Sequence, residues 1–195
     1  MAEDEAAIPA DPVDPAGVEA FRGPLPAELR LKRTRSTALI IAFLVFALDQ
    51  AVKWVVAYPL QLEFRRSIEI VDFFNLTFVK NTGVSLGLLS ADGDIGRWLL
   101  VALTAAIAIF VALWLWREKR RDDSTALALV LGGALGNILD RVRLGYVLDY
   151  ADLHFGDWRP FLVFNVGDAA ITIGVLLLLV RALLMRDGRA KKKEV

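Results

Sequence analysis

Apolar residues in this 195-residue chain occur in four long runs and are not spread evenly, as they would be around a water-soluble core. A helix needs about 20 mostly apolar residues to cross a bilayer. The second run has 19 residues and no charge, and the fourth has 21 residues with one charge, Asp168. The first run has two charged residues, Asp49 and Lys53. The third has 16 residues and no charge, a length that also suits a buried helix of a soluble protein. The runs are residues 36–62, 98–116, 124–139 and 160–180. They predict an all-α membrane protein with four transmembrane helices.

Lysine and arginine are concentrated next to alternate ends of the four runs. Such clusters mark the cytoplasmic side of a membrane protein. They consist of Arg30, Lys32, Arg33 and Arg35; of Arg117, Lys119, Arg120 and Arg121; and of Arg186, Arg189, Lys191, Lys192 and Lys193. We therefore expect both termini in the cytoplasm and two extracytoplasmic segments, about 59–96 and 140–160. Residues 67–80 are rich in Ile, Val and Phe with partial alternation, which predicts a small β-rich element there.

The two ends of the chain differ in composition from the runs. Residues 1–30 contain five of the seven prolines and seven acidic residues against two basic ones. Such a segment buries too little apolar surface to order itself, so we expect a disordered tail. It lacks the hydrophobic core of a cleavable signal peptide, and the first run would serve as an uncleaved anchor. The membrane domain is predicted over residues 31–186, followed by a basic cytoplasmic tail, 187–195.

The composition restricts the possible chemistry. The formal net charge is zero, so no global basic field attracts nucleic acid. There is no cysteine, which excludes thiol catalysis, disulfides and thiolate metal sites. The only histidine is His154, which excludes a His-rich metal site. We expect neither a metal nor a cofactor.

Ionisable residues within membrane segments are costly and usually functional. Asp49 and Lys53 lie four positions apart and share a helix face, either as a self-neutralising pair or as part of a site. In "KNTGVSLG", Asn81 and Gly83 suit a turn. Neither feature identifies a site by itself.

The third run ends in a denser set of polar residues, within "GGALGNILDRVRLGYVLDY". Gly132 and Gly136 form a small-residue face that lets helices pack closely. Three polar residues follow at the end of the run: Asn137, Asp140 and Arg141. They are either ordinary interface residues, with the arginine paired to a carboxylate, or part of a site.

Two further carboxylates approach the same predicted face from different segments. Asp149 lies among Val, Leu and Tyr in "YVLDY", and Asp168 lies three residues after Asn165 in "FNVGD". Helix capping would also explain the second pair. If the two carboxyls meet, they cannot both ionise easily and would share a proton. One could then act as the base on a water molecule and the other as the acid on a carbonyl, which is the chemistry of aspartic proteases.

The segments "DQAVKW", "NTGVSLG", "GGALGNILDRVRLGYVLDY" and "FNVGDAAITIG", spread over residues 36–185, together resemble the lipoprotein signal peptidase (signal peptidase II) family of bacteria. The resemblance implies an aspartyl endopeptidase of the cytoplasmic membrane with its active site near the extracytoplasmic face. Its substrate would be a prolipoprotein, cleaved just before a cysteine that carries diacylglycerol, with the lipid chains remaining in the bilayer. The implied catalytic pair is Asp149 and Asp168. Supporting positions of the family match Asp49, Lys53, Asn81, Gly83, Gly136, Asn137, Asp140, Arg141 and Asn165.

The resemblance also suggests roles and shows two departures. We expect Asn137 and Asn165 to donate hydrogen bonds that orient the carboxyls or the substrate. Arg141 would pair with Asp140. Asp49 would position the substrate, and Lys53 would balance its charge. The family usually has alanine at Gly167 and phenylalanine at Leu86.

Three other functions remain compatible with the residues alone. Asp, Asn and Lys within the membrane could form the relay of a channel or a proton-coupled transporter, although no inverted repeat is visible. The polar residues could instead join the helices of a structural subunit. A serine protease would have to combine Ser85 with Lys80 or His154.

Overall fold

Four long helices make up most of the chain in the computed structural model, which describes residues 26–83 and 94–191, with side chains to residue 184. Within these residues, all four are long and apolar enough to cross a membrane, as predicted. They are α1 (Ala27–Ala57), α3 (Asp94–Arg117), α4 (Arg121–Leu144) and α5 (Val166–Lys191). The helix α1 begins before residue 31, and α5 extends beyond residue 186 into the proposed basic tail. Most of the proposed N-terminal tail lies outside the described residues.

The third run forms the central helix, α4, which packs against α1, α3 and α5. In α4, 56% of the membrane-length window is buried, against 17–22% in the other three helices. Its neighbours are therefore mainly protein and not lipid, which explains why glycine and alanine replace the larger apolar residues of the other runs. The predicted small-residue face lies against α1, where a Cβ at Gly132 would collide with the Ala42 carbonyl.

A three-stranded antiparallel sheet lies at one end of the helices, which we call the sheet end. The strands are β1 (Ser67–Val71), β2 (Phe74–Asn81) and β3 (Val147–Leu153), in the spatial order β1-β2-β3. The first two form a hairpin within the segment that the sequence marked as β-rich. A short helix, α2 (Leu62–Arg65), connects α1 to this hairpin.

The third strand connects the sheet to the helices. The strand β3 follows directly after α4, and six of its seven residues are buried. Ala151 pairs with Phe164, just before α5 begins, through hydrogen bonds in both directions. The strand therefore lies between β2 and the start of α5, so residues from β2, β3 and α5 converge at the sheet end.

Candidate active site

The two carboxylates implied as catalytic lie in this region of convergence. Asp149 is near the middle of β3 and is 2% exposed, whereas Asp168 is in the first turn of α5 and half-buried. Asn165 bonds to both residues. Its side-chain Nδ2 donates to Asp149 Oδ1 at 2.6 Å, and its backbone N–H donates to Asp168 Oδ2 at 3.2 Å. One residue thus connects the two carboxyl groups.

Two other asparagines supply the remaining donors. Asn81 Nδ2 donates to Asp149 Oδ2 at 2.9 Å, and Asn137 Nδ2 donates to Asp168 Oδ1 at 2.8 Å. All four carboxyl oxygens therefore accept a hydrogen bond from an N–H group. These bonds fix the orientation of both carboxyls, which agrees with the expectation that Asn137 and Asn165 act as donors.

Local backbone geometry places these asparagines. Asn81 is the last residue of β2, and its Oδ1 accepts a hydrogen bond from the backbone N–H of Gly83 at 2.9 Å. Gly83 has a φ of 81°, which glycine adopts without strain. Asn165 precedes α5, and its Oδ1 accepts the Asp168 N–H at 2.9 Å, in the manner of a helix N-cap. Asn165 thus caps α5 and also bonds to Asp149, so the capping interpretation does not exclude a place in the site.

Burial gives the Asp149 carboxyl an unusual affinity for a proton. Loss of water contact raises its pKa from 3.8 to about 6. The hydrogen bonds from Asn81 and Asn165 act in the opposite direction, while the nearby Asp168 charge raises the pKa further. The Asp149 carboxyl therefore holds its proton to a higher pH than an ordinary aspartate does.

A buried ion cluster lies directly beside the carboxyl pair. Lys53 Nζ is 2.8 Å from Asp49 Oδ2 and 2.8 Å from Asp140 Oδ2. It also donates to Asn137 Oδ1 at 3.1 Å. All of these residues are buried. Two carboxylates would be very costly here without the ammonium group between them.

The two carboxylates of this cluster contact the chain just before each catalytic position. Asp49 Oδ1 accepts the backbone N–H of Gly167 at 2.9 Å, and Asp140 Oδ2 accepts that of Leu148 at 3.2 Å. Gly167 precedes Asp168, and Leu148 precedes Asp149. The ion cluster thus fixes the backbone next to both Asp149 and Asp168.

Gly136 completes this arrangement because it leaves room for Asp49. A Cβ at this position would collide with the Asp49 carboxyl. Gly136 also accepts a hydrogen bond at its carbonyl from Gln50 Nε2, at 3.3 Å. Sequence reasoning missed Gln50, whose Nε2 also donates to Asp49 and to Asp140 Oδ1, at 3.2 and 3.1 Å. Its position next to Asp49, within the motif "DQAVKW", was the available signal.

The expected ion pair between Arg141 and Asp140 does not form. Lys53 binds the Asp140 carboxyl instead, and the tip of the Arg141 guanidinium lies 3.8 Å from the position that a Cβ of Gly83 would occupy. The Arg141 guanidinium lies within electrostatic range of Asp168, Asp149 and Asp140. Its Nε is buried and has no hydrogen-bond partner among the described residues.

An apolar cavity of about 290 Å³ reaches the half-buried carboxyl. It lies where the loop before α5 meets the first two turns of that helix. Its lining consists of Phe161, Leu162, Phe164, Asp168, Ala169, Thr172 and Ile173. Among the described residues that line it, Asp168 is the only charged one. An apolar chain could therefore lie next to the carboxyl.

The residues of the serine protease alternative do not come together in the described part of the chain. Ser85 lies outside the described residues. Lys80 is exposed and pairs with Glu63 at 2.7 Å. The His154 ring contacts the carbonyl of Asp152 at 3.4 Å.

Comparisons with known proteins agree with this geometry. Residues 41–184 match the family model described as signal peptidase (SPase) II. The chain belongs to the signal peptidase II family. This is a family of aspartic peptidases. The match includes every site residue discussed above, from Asp49 to Asp168.

Similar proteins extend over most of the chain. The lipoprotein signal peptidase of Sphingopyxis alaskensis is 56% identical over 157 residues, which cover 80% of this chain and 91% of that protein. The enzyme of the same name from Rhizorhabdus wittichii is 57% identical, with coverage of 80% and 90%. A solved structure described as a bacterial membrane enzyme has a TM-score of 0.68 at 31% identity, covering 82% of this chain and 94% of that one. The protein is thus a multi-span membrane peptidase.

Proposed function

We propose that this protein cleaves the signal peptide from diacylglyceryl-modified prolipoproteins, just before the lipidated cysteine, with Asp149 and Asp168 as the catalytic pair. The observation that carries the proposal is the set of four N–H donors on the four carboxyl oxygens of this pair. Relatives at 56–57% identity are named lipoprotein signal peptidase, which supports the substrate class.

The different surroundings of the two carboxyls suggest their starting roles. Asp149 is buried and has a pKa of about 6, so it carries the proton that the pair shares. Asp168 is less buried and borders the cavity, so its carboxylate accepts a proton from the attacking water. Because the groups are coupled, the titration of the enzyme belongs to the pair and not to either residue alone.

The reaction then proceeds by general acid–base catalysis. Water loses a proton to Asp168 while its oxygen attacks the scissile carbonyl, and Asp149 donates its proton to the carbonyl oxygen. The resulting diol collapses when Asp149 takes back a hydroxyl proton and Asp168 protonates the departing amide nitrogen. The C–N bond breaks, and the pair returns to its singly protonated state.

The position of the site suits a substrate that remains in the membrane. The catalytic pair lies at the sheet end of the helices, whereas the basic clusters at residues 30–35 and 117–121 lie at the opposite ends of α1, α3 and α4. By the distribution of positive charge, the sheet end is extracytoplasmic and both termini are cytoplasmic, in the bacterial cytoplasmic membrane. The apolar cavity lets a lipid-modified chain approach Asp168 from the bilayer.

The test is cleavage by the purified protein of a diacylglyceryl-modified prolipoprotein, with an unmodified copy beside it. Asp149→Asn and Asp168→Asn should each abolish cleavage while the unfolding midpoint shows a folded protein. The matched control is Asp157→Asn, which alters an exposed carboxylate at the sheet end and should cleave normally.

The outcomes separate the parts of the proposal. Cleavage before the lipidated cysteine by wild type, lost in both folded variants, supports the dyad and the substrate together. Equal cleavage of the unmodified copy would contradict the lipid requirement. Activity that survives either asparagine substitution would contradict the catalytic pair. If wild type cleaves neither substrate, ion flux measurements would test the transporter alternative.

A further inference from the structure

Arg97 connects two helices at the sheet end, close to the catalytic pair. It lies in the first turn of α3, and its Nε donates to the carbonyl of Arg141 at 2.8 Å. Its Nη2 donates to the carbonyl of Val142 at 2.5 Å. Sequence reasoning gave Arg97 no role.

These two bonds supply hydrogen-bond donors to two carbonyl groups at the C-terminal end of α4. The last four carbonyls of a helix have no partners within it, and their partial negative charge favours a cation. The Arg141 carbonyl also accepts the N–H of Gly145, which ends the helix with a φ of 87°. The Arg97 guanidinium lies against this glycine and 5.2 Å from the ring of Trp98. The final turn of α4 is therefore fastened both by its own cap and by Arg97.

Arg141 is the residue through which this contact reaches the reaction. Its carbonyl binds Arg97, while its guanidinium lies within electrostatic range of Asp149 and Asp168. The tip of its guanidinium is 3.8 Å from the position that a Cβ of Gly83 would occupy, beside the turn that presents Asn81. A shift in the last turn of α4 would therefore move a positive charge relative to both carboxyls.

We propose that Arg97 is a positioning residue for the reaction, which fixes the sheet end of α4 and so holds the Arg141 guanidinium in place at the turn of Gly83 that follows Asn81. The effect on cleavage rests on the proposed function, whereas the effect on α4 does not.

Loss of Arg97 should change the pH dependence of cleavage in a defined direction. A positive charge near a carboxyl favours its ionised form and lowers its pKa. If Arg141 moves away, the pair holds its protons more tightly, and the acidic limb of the kcat/KM profile moves to higher pH. Among the described residues, the other charged or titratable groups near the pair include Asp49 and Lys53 on α1, Asp140 on α4 and Tyr150 on β3. Asp140 directly precedes Arg141, but Lys53, Gln50 and the backbone N–H of Leu148 all bond to its carboxylate. These bonds should keep the ion cluster in place when the last turn of α4 shifts.

Hydrogen exchange of the intact protein in detergent tests the structural step. In Arg97→Ala, amides of residues 141–146 should exchange about tenfold faster, as expected when a charged hydrogen bond is lost, while the inner half of α4 is unchanged. Arg97→Lys should give an intermediate rate because it keeps the charge. Arg143→Ala is the matched control, since Arg143 is exposed in the same turn. Wild-type exchange in both Arg97 variants would overturn the proposal.

Cleavage kinetics test the catalytic step. Arg97→Ala should lower kcat about tenfold with KM changed less than about threefold, and should move the acidic limb up by about half a pH unit. Arg97→Lys should recover part of both effects. Faster exchange with an unchanged pH profile would overturn the link to Arg141. If Arg97→Ala does not fold, Arg97→Lys and Arg97→Gln provide the same two readouts. If wild type does not cleave, the proposed function fails, and the exchange data still decide whether Arg97 fastens α4.

Discussion

Replacing Asp149 with asparagine should make the stability of the protein less dependent on pH. Burial raises the pKa of this carboxyl from 3.8 to about 6 in the folded protein. As pH rises from about 4 to 7, the unfolded chain releases this proton before the folded one does. The folded state therefore loses stability over this window. A difference of about 2 pKa units corresponds to about 3 kcal/mol.

Asparagine removes this titration but keeps the shape of the side chain. Its amide NH2 would face one of the two asparagine donors that now bind Asp149, which costs about 1–3 kcal/mol at every pH. Because this cost is the same at every pH, it does not change how the free energy of unfolding varies with pH. The free energy of unfolding of Asp149→Asn relative to wild type should therefore rise by about 2.5 kcal/mol between pH 4 and pH 8, since part of the full effect lies below pH 4.

Unfolding in mixed micelles, titrated with a denaturing detergent at several pH values, measures this difference. Asp157→Asn changes an exposed carboxylate of the same end and should follow the wild-type curve in shape. The reasoning would be refuted by parallel curves for wild type and Asp149→Asn. It would also be refuted if the variant lost stability relative to wild type as pH rises.

Three further changes test the surroundings of the pair. Lys53→Met leaves Asp49 and Asp140 buried without a cation, and should lower the free energy of unfolding by about 3–5 kcal/mol, measured by the same detergent titration; a wild-type midpoint would contradict this. Gly136→Ala places a methyl group against the Asp49 carboxyl and should lower the free energy of unfolding by about 1–3 kcal/mol in the same assay. An unchanged midpoint would show that α1 and α4 can separate to make room and would contradict this. Asn81→Ala removes a donor from the buried Asp149 carboxyl, raises its pKa, and should move the basic limb of the kcat/KM profile to higher pH, because Asp149 acts in its protonated form; an unmoved limb would refute the role of this bond.

The helices could be predicted from sequence because the bilayer requires long apolar runs. Even the third run, which is short and rich in glycine and alanine, forms a helix because it is surrounded by other helices and not by lipid. The strand β3 was not predicted. Its residues are buried on both sides, so Val147–Leu153 lacks the alternation that marks a half-exposed strand.

The motifs named residues that the structure brings together at the sheet end, but the pairing of these residues could not be predicted. Arg141 follows Asp140 directly, and adjacent residues on a helix point in different directions. Lys53, which is remote in sequence, reaches Asp140 instead. The contact of Arg97 with α4 could not be predicted from sequence. Its acceptors are backbone carbonyls, which every residue type carries.

The ion cluster explains how two carboxyls from different segments keep a fixed relation to each other. Each catalytic aspartate follows a residue whose backbone N–H is bound by a buried carboxylate, Asp49 in one case and Asp140 in the other. Both of these carboxylates bind the same ammonium group, that of Lys53. A single cation therefore joins β3 to the start of α5 across α1 and α4. Acid–base catalysis by a shared proton needs this precision, because small displacements of the two carboxyls would uncouple them. The cost of burying three charges beside the membrane is thus accounted for by the geometry of the reaction and not by stability alone.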